Sequence, residues 1–156
     1  MKIVLTYSSK EGLAKEYAKR HGSKAVPADC FAEGDSLETI GAVLDALRSG
    51  GHDAVGIEAN NLALKQIEKL KPALVFNMAE GLYGDFRESY IPMLCERLGV
   101  PYTGSDPLVL AIALNKARAK EILGFHQIPT PAFRVFYPGL PVTVEGFTFP
   151  AIIKPF

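Results

Sequence analysis

Apolar positions along the chain alternate between two rhythms. Lys2–Tyr7 (KIVLTY) is a short apolar, β-branched run closed by Ser8-Ser9, and it predicts a buried strand. Asp53–Ile57 (DAVGI) predicts a second, and Ala73–Asn77 (ALVFN) a third between Pro72 and Gly81. Between the first two, Ile40, Val43, Leu44 and Leu47 recur at helical spacing, which predicts a helix over Ser36–Ser49 stopped by Gly50-Gly51. Asp35, with Glu38 three residues on, has the spacing of a capping box for it. Asn61 is the expected cap of the next helix, whose apolar residues are Leu62, Leu64, Ile67 and Leu70. Glu88–Leu98 is helical again and is stopped by Gly99. Pro92 is compatible only with a first turn, so that helix should begin near Ser89–Ile91.

Strands alternating with helices read as an open parallel sheet covered by helices on its faces. Residues 1–104 are therefore expected to form a Rossmann-like, three-layer α/β domain. The segment Lys10–Gly34 fits less regularly, because a helical EGLAKEYAKR is followed by a long irregular stretch. That loop and the helix start after it carry Asp29, Glu33, Asp35 and Glu38, which read as a solvated acidic loop feeding a helix N-terminus, where carboxylates are favoured.

After Gly104-Ser105 the character changes. Helical stretches are expected over 108–114 and 115–124, then strands over 132–137 and 149–154 separated by Pro138-Gly-Leu-Pro. The last run is apolar and lacks a polar tail, and strand backbone groups need partners. We therefore expect 105–156 to be the incomplete beginning of a second domain.

Composition narrows the function classes. The 156 residues carry 17 Lys+Arg against 17 Asp+Glu, for a formal net charge of zero. That balance argues against a dedicated nucleic-acid binder. No apolar run approaches the ~18–20 residues that span a bilayer, and the N-terminal apolar run is too short for a signal peptide. A cytoplasmic location is expected. Cys30 and Cys95 have neither pair spacing nor a neighbouring His and read as reduced thiols. His21, His52 and His126 are scattered, so no metal site is expected within this segment.

Three places could carry chemistry. Lys154 ends the apolar run AIIK, where an ammonium is placed to meet a ligand or simply snorkels at a strand edge, and Lys116 lies on a helix, where it could equally be a paired surface charge. A compact ammonium suits a phosphate oxygen. The loop after the third strand, Asn77–Asp85, places Asn77 and Glu80 beyond a strand's carboxyl end, where open α/β sheets bind ligands. Asn77 could equally serve the local turn, and Glu80 could be a solvated charge. Third, Ser8-Ser9-Lys10-Glu11-Gly12 is a hydroxyl-bearing loop that faintly resembles the phosphate loop of flavodoxins. A flavodoxin-like, small-ligand-binding module is therefore one alternative, and a non-catalytic assembly domain another. Neither the G-x-G-x-x-G nor the G-x-x-x-x-G-K-[ST] signature is present.

Taken together, Val75–Gly81 (VFNMAEG), Val100–Ser105 (VPYTGS), Ala113–Lys120 (ALNKARAK), Ile128–Pro131 (IPTP) and Pro150–Pro155 (PAIIKP) resemble, in order and spacing, the N-terminal part of D-alanine–D-alanine ligase-like ATP-grasp enzymes. The resemblance implies a Rossmann-like pre-ATP-grasp domain over 1–104 and the start of the ATP-grasp central subdomain over 105–156. It implies a full-length ATP-dependent carboxylate–amine ligase acting through an acyl phosphate with Mg²⁺, a small amino-acid or dipeptide-type substrate, and a possible homodimer through the N-terminal domain. Lys116 and Lys154 match the family's two nucleotide-contacting lysines. The sequence departs from the family at three places. Tyr7–Gly12 replaces the glycine-rich stretch whose Glu holds the first amino acid's amine, leaving Glu11 as its candidate counterpart. Glu80 stands where the loop His is usual, and Asn115 where Asp is usual. The lid and metal ligands are not within these residues, so the segment alone is expected to be inactive and to hold neither ATP nor Mg²⁺.

Overall fold

The computed structural model describes residues 1–22 and 24–154. The chain divides into two compact units, Met1–Ala111 and Ile112–Phe156.

In the first unit three parallel strands form a sheet: β1 (Lys2–Tyr7), β2 (Asp53–Glu58) and β3 (Leu74–Asn77), in the order β2-β1-β3. Lys2 through Tyr7 face Asp53 through Glu58, and Ile3 through Thr6 face Leu74 through Asn77. β1 is thus the central strand, and Ile3, Val4, Leu5 and Thr6 are buried on it. Both faces of a central parallel strand are covered, which is why the run is apolar without alternation. Residues 100–103 run beside β3: the Val75 amide donates to Pro101 O at 2.9 Å and the Thr103 amide to Val75 O at 3.0 Å.

The helices are α1 (Lys10–His21), α2 (Leu37–Ser49), α3 (Ala63–Leu70) and α4 (Tyr90–Leu98), the last entered through a tight turn at Arg87–Ser89. The main core joins Val4, Ile57 and Val75 of the sheet to Ala63 and Ile67 of α3 and to Ile91, Leu94 and Cys95 of α4. Successive strand residues point to opposite faces. Ile57 faces α3 and α4, whereas a Cβ at Gly56 would lie 3.3 Å from Leu44 Cδ1 of α2. The helices therefore cover both faces, and the α/β three-layer expectation holds.

Two expected caps move. Helix α2 is capped by Ser36, whose Oγ accepts the Thr39 amide at 3.0 Å, and not by Asp35. Asp35 is drawn away because its backbone pairs with the loop after β1, its amide donating to Ser8 O at 2.8 Å and its carbonyl accepting from Lys10 at 3.1 Å. At α3 the side chain that engages the entry turn is Asn60, whose Oδ1 accepts the Leu62 amide at 2.8 Å, rather than Asn61. The exit of α4 follows expectation, with Gly99 at φ 65° in the left-handed region and Pro92 inside the first turn.

α5 (Pro107–Leu114) crosses from the first unit into the second, and α6 (Lys116–Phe125) follows, capped by Asn115 Oδ1 on the Arg118 amide at 3.1 Å. The strands expected over 132–137 and 149–154 are not formed. Both stretches are irregular, and Ile152 and Ile153 are 84% and 97% exposed. A strand is stabilised by ladder partners, and the described residues of this unit supply none to either run.

Candidate functional site

The carboxyl ends of β1, β2 and β3 converge on one rim of the sheet, and the loops that leave them are tied together by side chains. After β1, Ser8 and Ser9 are both buried. The Ser9 hydroxyl caps α1 by accepting the Gly12 amide at 2.9 Å and donates to Glu58 Oε2 at 2.7 Å. The Ser9 amide donates to Glu58 Oε1 at 2.8 Å. Glu58 is the last residue of β2, so its carboxylate stands at the N-terminus of α1, where the helix favours an anion. An anion brought to this loop would have to displace that carboxylate.

The loop after β3 is held from the same side. Ser8 Oγ accepts the Gly81 amide at 3.0 Å, and the Ser8 amide donates to Asp35 Oδ2 at 3.1 Å. Burial pushes the Asp35 carboxyl up, opposed by that amide. Asn77 serves the turn: its Oδ1 accepts from Thr6 Oγ1 at 2.8 Å and from the Ala79 amide at 3.2 Å, while its own amide donates to Thr103 Oγ1 at 3.0 Å. Of the two readings left open for Asn77, the structure supplies the local one for this oxygen.

Glu80 is half-buried. Burial, then the neighbouring carboxylates of Glu88 and Glu33, push its pKa up against the pull of Arg87, and a hydrogen bond to Glu88 adds to the rise. Arg87 donates to Glu33 at 2.8 Å and lies 3.8 Å from Glu88. The expected solvated acidic loop is corrected at Asp35 alone, which is half-buried and bonded to Ser8; Asp29, Glu33 and Glu38 are exposed, Glu33 while bonded to Arg87. No group of three His, Cys, Asp or Glu residues able to hold a metal ion occurs among the described residues.

Glu11 lies in the first turn of α1 and is exposed, between Lys10 and Gly12, whose amides are both bonded. In the second unit Lys116 is the first residue of α6 and is exposed, its ammonium donating to Leu114 O at 3.2 Å. Lys120, one turn on, is taken up by Thr130 Oγ1 at 2.9 Å and Pro131 O at 2.7 Å. Lys154 is exposed at the end of an irregular, exposed run rather than in a buried strand. The structure thus gathers Glu80, Asn77 and the Ser8–Gly12 loop on one rim and keeps both lysines in the other unit. Glu58 escapes sequence reasoning because the apolar pattern ends the second strand at Ile57, one residue short of its true end. The strand-end rule that singled out Asn77 applies equally to it.

No family model matches the chain. Curated relatives do. A D-alanine–D-alanine ligase from Hydrogenovibrio crunogenus is 36% identical over 155 residues, covering 97% of this chain and 48% of the relative. One from Geobacter sulfurreducens is 35% identical over 122 residues, 77% of this chain and 38% of the relative. The chain is D-alanine–D-alanine ligase-like and corresponds to the N-terminal portion of such a protein. An uncharacterised protein from Sinorhizobium fredii is also similar, 33% identical over 122 residues, 73% of this chain and 36% of that protein. The chain therefore spans about half, or less, of the ligases it matches. In fold it matches the crystal structure of the Bacillus anthracis D-alanine–D-alanine ligase complexed with ATP, at a TM-score of 0.62 over 94% of this chain and 43% of that one, with 18% identity. The likeness confirms the α/β, parallel-sheet fold expected of a D-alanine–D-alanine ligase-like N-terminal portion.

Proposed function

We propose that this chain is the substrate-side N-terminal part of an ATP-dependent carboxylate–amine ligase. The observation that carries the reading is the match to a D-alanine–D-alanine ligase at 36% identity over 97% of the chain. Residues 1–104 are the pre-ATP-grasp domain, and 105–156 begin the ATP-grasp central subdomain, whose exposed Ile152 and Ile153 need covering partners. In the full-length enzyme a carboxylate oxygen takes the γ-phosphoryl group of ATP, giving an acyl phosphate and ADP. The amine of the second substrate then attacks that carbonyl, phosphate leaves, and the amine gives up a proton. Catalysis of this kind rests on positioning and charge neutralisation.

Lys116 and Lys154 supply the cations for the nucleotide phosphates. Lys116 suits this role because its ammonium is exposed and, among the described residues, donates to the neutral carbonyl of Leu114 at the end of α5. The described residues do not fit a Mg²⁺ site, so the metal ligands are assigned elsewhere in the full-length protein. On the amino-acid side, Glu11 and Glu80 are the candidate groups for an amine, and Asn77 holds the loop that carries Glu80. The protein acts in the cytoplasm and pairs through its N-terminal domain. No helix among the described residues is long and apolar enough to cross a membrane.

The test is amino-acid-dependent release of ADP by the full-length protein, with D-alanine and a panel of other amino acids offered singly and in pairs. Release that depends on an amino acid supports the reading. Its absence with every pair would sink it. The present segment alone is expected to release none.

A further inference from the structure

Glu58 lies outside every motif that relates the chain to the ligases, yet both of its carboxylate oxygens are engaged on the rim. Its two carboxylate oxygens accept from the Ser9 amide at 2.8 Å and from the Ser9 hydroxyl at 2.7 Å. Ser9 is 6% exposed and Glu58 is half-buried, so both bonds are partly shielded from water. The same hydroxyl accepts the Gly12 amide at 2.9 Å and so fixes the first turn of α1. The contact also restricts residue 12: a Cβ there would lie 2.2 Å from Glu58 Oε1 and 2.6 Å from its Cδ. Only glycine lets the carboxylate sit against the helix start.

We propose that Glu58 is a positioning residue: it acts as a built-in anion at the N-terminus of α1 and sets where Glu11 presents its carboxylate. Three observations converge on this. Charge-assisted bonds to backbone and hydroxyl donors are the strong class of hydrogen bond. The carboxylate sits at the positive end of a helix, where negative charge is favoured. Glu11 is bracketed by two anchored amides, that of Lys10 on Asp35 O at 3.1 Å and that of Gly12 on Ser9 Oγ. Loss of Glu58 releases Ser9 and, through it, the Gly12 anchor, so the turn carrying Glu11 loosens while the sheet remains. The link to Glu11 rests on the ligase reading above; the control of the helix start does not.

Two measurements separate these. In the present chain, amide hydrogen exchange of Glu58→Ala should accelerate about tenfold or more at Ser9 and Gly12, with Val4 and Val75 unchanged. Gly12→Ala, which displaces the carboxylate without deleting it, should do the same, and Glu58→Gln should restore part of the protection by keeping one acceptor for the Ser9 amide. Uniform acceleration over the whole sheet, or none at Ser9 and Gly12, overturns the proposal. In the full-length protein, Glu58→Ala and Gly12→Ala should raise KM for the amino-acid substrate about tenfold, with KM for ATP and kcat little changed. A wild type that ligates with an unchanged amino-acid KM in both variants overturns the link to Glu11. A wild type without ligation sinks the ligase reading and leaves the exchange result to decide the role of Glu58.

Discussion

The hydroxyl of Ser8 accepts the amide of Gly81 at 3.0 Å, joining the loop after the central strand to the loop after β3 across 73 residues of sequence. Ser8 is 1% exposed, and its loss takes the side-chain acceptor from the amide of half-buried Gly81. Ser8→Ala should cost about 1–3 kcal/mol, read as a lower urea midpoint at unchanged slope. Gly81 has φ +72°, and a Cβ there would meet Arg87 Cβ at 3.0 Å. Gly81→Ala should therefore destabilise by a similar ~1–3 kcal/mol.

Glu80 gives a pH signature with a definite sign. Its carboxyl is pushed up in the folded chain, first by burial and then by Glu88 and Glu33. The folded state thus holds the proton more tightly than the unfolded one. Stability is highest below the unfolded pKa of about 4.3 and falls as pH rises through the folded value. Glu80→Gln should raise Tm at pH 7, with the gain shrinking to nothing near pH 4. An equal gain at both pH values would show that charge is not the cause.

The two thiols should be distinguishable. Cys95 is buried in the main core, and burial pushes its pKa up to about 11. Cys30 is only partly covered. At pH 8 one thiol per chain should react quickly with a disulfide reagent, and the second only on unfolding, because the thiolate is the nucleophile. Two fast thiols would contradict the core placement of Cys95.

Nucleotide should bind this chain weakly. A charge-assisted contact is worth about 1.5–3 kcal/mol, whereas micromolar affinity needs about 8 kcal/mol. Titration calorimetry should show no sub-micromolar ATP binding. Such binding would mean that the exposed Lys116 and Lys154 sit in a far better formed site than their surroundings here provide.

Limited proteolysis should cut first within 22–34 or 105–156, where the described residues include long irregular, exposed stretches. Fast cleavage inside 73–98 would contradict the packing of β3 and α4 into the core.

β1, β2 and β3 were legible to within a residue or so, because each is a short apolar run whose burial on both faces leaves a mark in the local pattern. The stop of α4 at Gly99 was legible for a related reason: a left-handed residue after an apolar periodic segment is a local demand. The expected strands at 132–137 and 149–154 have equally apolar patterns and do not form, because a pattern records readiness to pair and not the presence of a partner. The caps at Asp35 and Asn61 went astray for the same kind of reason. Their neighbours Ser36 and Asn60 have the same chemistry, and only the chain path selects between them.

What the sequence determined by itself is the α/β class, the parallel sheet and the likeness to the ligases, all of which rest on local patterning and residue order; the place of β1 at the centre of the sheet came with the tertiary structure. What the tertiary structure decided is the rim. Ser9 and Glu58 are 49 residues apart, Thr6 and Asn77 are 71 apart, and nothing local says that they meet. They meet because parallel pairing in register brings Tyr7 opposite Glu58 and Thr6 opposite Asn77, so that residues at or just beyond the strand ends share one edge. That register comes from burying Val4, Ile57 and Val75 in one core, a cooperative property of the folded sheet that no single segment carries.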